Sequence, residues 1–107
     1  MKYAIRSGML MAMAVSVACI VVLAQSTGEA VYKARCLNCH GAIGLADSGI
    51  GKIMKVKPVT DPSIRNMSLP GMIRATENGM GKMQGYKNDL TDAQIREVVV
   101  YFRTLIK

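Results

Sequence analysis

The sequence has no tryptophan, one phenylalanine (Phe102) and one histidine (His40). With so few large rings, a self-sufficient apolar core is hard to build, and 107 residues give room for one domain. Three cysteines are too few for a disulfide scaffold. Cys19 lies inside an N-terminal apolar run, which leaves Cys36 and Cys39 for the rest of the chain. A tetrahedral zinc site is short of ligands, because Cys36, Cys39 and His40 have no fourth Cys or His outside that run. No stretch alternates apolar and polar residues as a half-buried strand does, and there is no internal repeat or low-complexity tract. The formal net charge is +7, yet Lys33, Lys52, Lys55, Lys57, Arg65, Lys82 and Lys87 are dispersed. Without a basic run, nucleic acid is a poor fit as a partner.

What is present is the run Cys36-Leu37-Asn38-Cys39-His40, followed by Gly41. Two thiols three residues apart with an imidazole beside the second form the attachment signature for c-type haem. On a helical turn, residues i and i+3 share a face, so both sulfurs can reach one edge of a porphyrin while His40 rises under the iron as proximal ligand. A haem would also supply the apolar centre that the aromatic count lacks. A thiol–disulfide oxidoreductase uses Cys-x-x-Cys as well, but it needs a βαβ context on both sides of the motif, and none is visible.

Residues 1–24 read as a secretory signal. Lys2 and Arg6 give a positive start, Gly8 to Leu23 is almost wholly apolar, and Val22-Leu23-Ala24 precedes Gln25 with cleavage placed after Ala24. Retention as a membrane anchor is the rival. Residues 7–24 would span about 27 Å as a helix, slightly short of the roughly 30 Å hydrocarbon layer. Lipidation at Cys19 is the weakest option, since Ser16 stands where an aliphatic residue is expected and apolar residues continue to Leu23. Each option puts residues 25–107 outside the cytoplasm, in the periplasm or exported. Without Lys2 and Arg6, twelve basic residues face seven acidic ones, a net of +5. That balance favours a redox partner with an acidic docking surface.

Three helices are expected. Thr27 can cap a first helix running to Arg35, with Glu29 in its first turn. Ile64 to Asn78 carries a short helix, with Ser68 as cap and Asn78-Gly79 as its end. Thr91-Asp92-Ala93-Gln94 is a capping box. It opens a helix with Ile95, Val98, Val99, Phe102, Leu105 and Ile106 on one stripe. Between them, Gly41 to Pro62 reads as a long loop rich in turn formers, and Gly79 to Tyr86 as a glycine-rich loop.

The pentapeptide and its surroundings resemble the small single-haem cytochromes c of bacteria. The resemblance implies an all-α cytochrome c fold, with three main helices and loops wrapped around one covalent haem over residues 25–107. In that family a Gly eight before the first Cys permits a close crossing with the C-terminal helix, where an aromatic four before it also packs. Gly28 and Tyr32 match those positions, with Tyr101 in register. A backbone carbonyl from the loop after the motif often accepts the proximal imidazole's N–H, and Pro58 is a candidate. The family's distal ligand is a Met just before the last helix. Gly81-Lys82-Met83-Gln84-Gly85-Tyr86 matches that loop, which makes Met83 the expected distal ligand and Met80 the second choice. The family often has Pro after this Met and this chain has Gln84, so a less rigid loop is expected, with a weaker iron–sulfur bond or a shifted potential.

With His40 and Met83 both bound, the iron has no open position. The expected role is then one-electron transfer and not enzyme catalysis, through a surface that includes Lys52, Lys82 and Lys87. Two alternatives stay open: a haem-bearing subunit of a larger oxidoreductase, and a five-coordinate haem sensor should Met83 not bind. The sensor lacks a distal His or Arg to assist ligand chemistry.

Overall fold

The structure is a computed structural model that describes residues 27–107; the expected signal segment, with its anchor and lipidation alternatives, lies outside the described residues. Six helices follow in order: α1 (Gly28–Arg35), α2 (Leu37–His40), α3 (Gly49–Ile53), α4 (Pro62–Arg65), α5 (Leu69–Asn78) and α6 (Asp92–Thr104). The described residues contain no strand, only one isolated antiparallel bridge between Met80 and Met83. The all-α expectation holds, with α1, α5 and α6 as the longer helices.

The caps fall where the sequence put them. The Thr27 hydroxyl accepts the Ala30 N–H at 3.2 Å, and the Ser68 hydroxyl accepts that of Gly71 at 3.1 Å. At the head of α6 the capping box is reciprocal. Gln94 N–H donates to Thr91 Oγ1 at 3.1 Å, and Thr91 N–H donates to Gln94 Oε1 at 2.9 Å. Such a cap contributes about 1 kcal/mol by satisfying amides that the helix start leaves open.

The core lies where α6 crosses α1 and α5. Ile95, Val98 and Val99 of α6 are buried against Val31 and Tyr32 of α1, Met72 of α5, and Leu90. Ile95 is fully buried, and withdrawing a side chain of that size from water stabilises a fold by about 1.5–3 kcal/mol. The crossing with α1 depends on Gly28. A Cβ there would collide with the backbone carbonyl of Glu97 and stand 3.0 Å from the Tyr101 Cβ. One turn on, the Tyr32 and Tyr101 rings meet with centroids 5.3 Å apart. The close approach expected of Gly28, Tyr32 and Tyr101 is present, and the glycine's cost at a helix start is offset by it.

Gly41 to Pro62 departs from the long loop expected of it. Ser48 caps the short helix α3, accepting the Gly51 N–H at 2.9 Å, and donates its own hydroxyl to the Asn38 carbonyl at 2.6 Å. Gly51 read as a turn former, but it serves close approach: a Cβ would strike the Cys39 carbonyl oxygen. The segment is thereby docked directly on α2. Further on, the Asp61 carboxylate caps α4 by accepting the Ser63 N–H at 2.8 Å.

Candidate haem site

The stretch Cys36 to His40 forms a corner between α1 and α2. Cys36 ends the first helix and starts the second, and its carbonyl accepts the N–H groups of both Cys39 (3.2 Å) and His40 (3.0 Å). The Tyr32 hydroxyl donates to the Gly41 carbonyl, so the tyrosine four residues before the motif also fastens the residue just after it. Burial pushes the Tyr32 phenol up to about 12, keeping it protonated as that bond requires.

A cavity opens between this corner and helices α5 and α6, lined by side chains from all three. Cys36 and His40 line it from the motif, and Met80 and Met83 line it from the loop before α6. Its remaining walls are largely apolar, with Met67, Met72 and Phe102 among them. Of the four residues expected to carry the site, Cys36, His40 and Met83 therefore converge on one cavity. Cys39 is half-buried on α2 and does not line it.

His40 is held edge-on against Phe102, with ring centroids 5.3 Å apart. Burial holds its imidazole below the usual histidine range, so the ring is neutral at pH 7, the form that donates a lone pair to a metal. Its Nδ1 is buried without a hydrogen-bond partner. The carbonyl of Pro58, the candidate acceptor for the imidazole N–H, instead accepts the Asp61 N–H at 2.9 Å at the approach to α4.

Cys36 lacks the acidity of a redox-active thiol. Burial, with the neighbouring Cys39 second, pushes the Cys36 thiol up to about 11. Reactive Cys-x-x-Cys thiols are instead lowered to roughly 3.5–7.5. Zinc is no better served, since no group of three or more His, Cys, Asp or Glu side chains converges among the described residues.

The distal loop is more ordered than its glycine content suggests. Met80 and Met83 exchange backbone hydrogen bonds, 3.0 Å in one direction and 2.9 Å in the other, around a two-residue turn. Gly81 takes φ +58° at the first central position, the signature of a type II′ hairpin turn. Residues paired in this way project to the same face of the ribbon, which explains why both methionines line the cavity. Met80 is 56 % exposed and Met83 is more deeply set, in keeping with Met83 as first choice. Sequence reasoning passed over Met67, Met72 and Phe102 as cavity walls. The helical stripe holding Phe102 was visible in the sequence, but which of its members face a cavity depends on the α1–α6 crossing.

Residues 24–102 match the family described as cytochrome c oxidase, cbb3-type, subunit III. The chain belongs to this family. It is a small single-haem c-type cytochrome, it carries a covalently bound haem with iron, and it works by haem-based electron transfer. Among relatives, one subunit of the nicotinate dehydrogenase of Pseudomonas putida is 31 % identical over 84 residues. That alignment covers 73 % of this cytochrome and only 7 % of the much longer relative. Among solved structures, the KustC0563 c-type cytochrome superposes with a TM-score of 0.68 at 23 % identity, covering 76 % of this chain and 99 % of that one. A tyrosine-to-phenylalanine variant of the same protein gives 0.64 at 22 %, covering 75 % and 98 %. These structures share the cytochrome's fold.

The residues fit a haem. The cavity is apolar, a neutral imidazole reaches it from the motif, and thioethers reach it from the hairpin. All of these are donors that haem iron accepts in cytochromes.

Proposed function

We propose that this cytochrome is an electron carrier in a respiratory or dehydrogenase-linked chain outside the cytoplasm, with residues 1–24 serving as its export signal. Cys36 and Cys39 hold the haem as thioethers, His40 is the proximal ligand and Met83 the distal one. The observation that carries this reading is the shared cavity, which Cys36 and His40 line from the motif and Met83 from a loop more than forty residues further along the chain.

When bound, the haem supplies one-electron exchange between ferric and ferrous iron. The chain's own residues set the conditions for that exchange. The neutral imidazole of His40 and the thioether of Met83 add no charge to the site, and a thioether favours the less charged ferrous state. The apolar walls act in the same direction by excluding water. With both donors in place no position is left for a substrate, which sets aside the sensor reading and catalysis at the metal.

Electrons pass to partners through weak, salt-sensitive encounters. Lys52, Lys82 and Lys87 are exposed. Among the described residues the ion pair formed is Lys33 with Glu29 at 3.0 Å, which leaves those three lysines to face an acidic partner. A second reading is favoured by the comparisons: the family is described as an oxidase subunit and one relative as a dehydrogenase subunit. On that reading the redox role is unchanged and the partner is permanent.

The test is the ferric absorption spectrum. A weak band at the red end, diagnostic of thioether ligation, is expected in the native protein and in Met80→Ala, and is expected to vanish in Met83→Ala. A band that survives Met83→Ala and disappears in Met80→Ala would reverse the assignment. Rapid carbon monoxide binding by the reduced native protein would point back to the sensor.

A further inference from the structure

We propose that Tyr86 is a positioning residue for Met83, its hydroxyl tying the distal hairpin to the end of the helix that leads into Cys36. The inference rests on the reading of Met83 as distal ligand.

The hairpin that presents Met83 is closed by its own two backbone bonds, and these fix its shape but not its placement over the cavity. Placement comes from its two exits. At the first, Gly79 N–H donates to the Ala75 carbonyl at 2.8 Å, ending α5. At the second stands Tyr86, separated from Met83 only by Gln84 and Gly85. Every polar group of Tyr86 is engaged. Its N–H donates to the Thr76 carbonyl at 2.8 Å, and its carbonyl accepts from Asp89 and Leu90, both at 2.9 Å. Lys87 N–H adds a bond to the Glu77 carbonyl at 3.2 Å. These backbone bonds fasten the loop to α5 and to its own continuation, all on the distal side.

The hydroxyl does something different. It donates to the Arg35 carbonyl at 3.2 Å, across 51 positions of sequence. Among the described residues it is the one hydrogen bond joining the distal loop to α1 or the haem motif. Arg35 is the last residue of α1, and a helix end leaves such carbonyls without an intrahelical donor. It is also the residue directly before Cys36. The bond therefore references the distal hairpin to the segment that fixes the haem. This is the constraint that Gln84, lacking a proline's fixed φ, does not itself provide.

Tyr86→Phe removes the hydroxyl and keeps the ring that packs on the core. The ferric holoprotein is titrated with imidazole, which competes with the thioether, while the red-end band and the thermal midpoint are followed in parallel. Tyr86→Phe is expected to bind imidazole roughly three- to tenfold more tightly than the native protein, the factor one net hydrogen bond is worth. A change in melting temperature with imidazole affinity unchanged would reduce Tyr86 to a packing residue and overturn the inference. Met83→Ala is run alongside. If its band persists, the ligand assignment fails and takes the inference with it. If its band is lost while Tyr86→Phe titrates like the native protein, the inference about Tyr86 fails alone.

Discussion

The two sides of the haem cavity are built by different means. On the proximal side, Cys36 and His40 belong to one short contiguous run, set on a corner between two helices. That corner is backed by the Gly28 crossing and by a tyrosine that fastens it at Gly41. On the distal side, Met83 sits on a two-residue hairpin, its partner Met80 largely open to solvent, and its placement is set by hydrogen bonds to α5 and to Arg35. The difference shows how a cytochrome divides its work. The side that carries the attachment motif is braced by the helix crossing behind it, whereas the side that brings the methionines hangs on a few polar contacts. With Met83 as the proposed ligand, small changes there would adjust the metal without unfolding the protein.

The sharpest way to break the proximal side is Gly28→Val. The atoms in its way belong to the Glu97 backbone, which cannot swing aside as a side chain would. Overpacking commonly costs about 1–3 kcal/mol. A clash with backbone at the main helix crossing belongs at the top of that range, enough to halve or abolish the yield of folded holoprotein. Thermal unfolding and haem content check this, and a variant with native stability would show that the crossing is looser than the structure has it.

Acid separates the two sides with a smaller effect. Burial lowers the folded-state pKa of His40 below the ordinary histidine value, and a bond from its lone pair to iron would act in the same direction, so the unfolded chain takes up that proton first. The contribution is present above about pH 6.5, the usual value for an exposed imidazole, and is lost as pH falls toward the lower folded value. A thioether carries no titrating proton, so the distal donor adds nothing to this slope. Denaturant midpoints should therefore be lower at about pH 5 than at about pH 7.5, either side of that value. Equal midpoints would mean that neither burial nor a bond to iron holds His40 neutral.

Much of this architecture could be read from the sequence because its signals are local. Cys36, Cys39 and His40 fall within one helical turn, Thr91 and Gln94 complete their box within another, and the α6 stripe repeats at helical spacing. Gly28 was legible only through its register with Tyr32 and Tyr101. The rest depends on long-range geometry. Ser48 capping α3 was hidden among glycines that look like turn punctuation, yet Gly51 is there to approach Cys39. The hairpin pairing of Met80 with Met83 was hidden in the same way, and the carbonyl of Pro58 serves Asp61. Nothing near Tyr86 in the chain points to Arg35. The 51 positions between them close only when α1, α5 and α6 have packed.

The central claim is that Cys36 and Cys39 are bonded to a haem that His40 faces. The most direct measurement is made on protein purified from cells able to attach such groups, extracted with acidified acetone and then treated with an alkylating reagent for free thiols. The account predicts that the colour stays with the polypeptide and that neither Cys36 nor Cys39 takes up the reagent. Haem in the solvent phase, with both thiols alkylated, would contradict it.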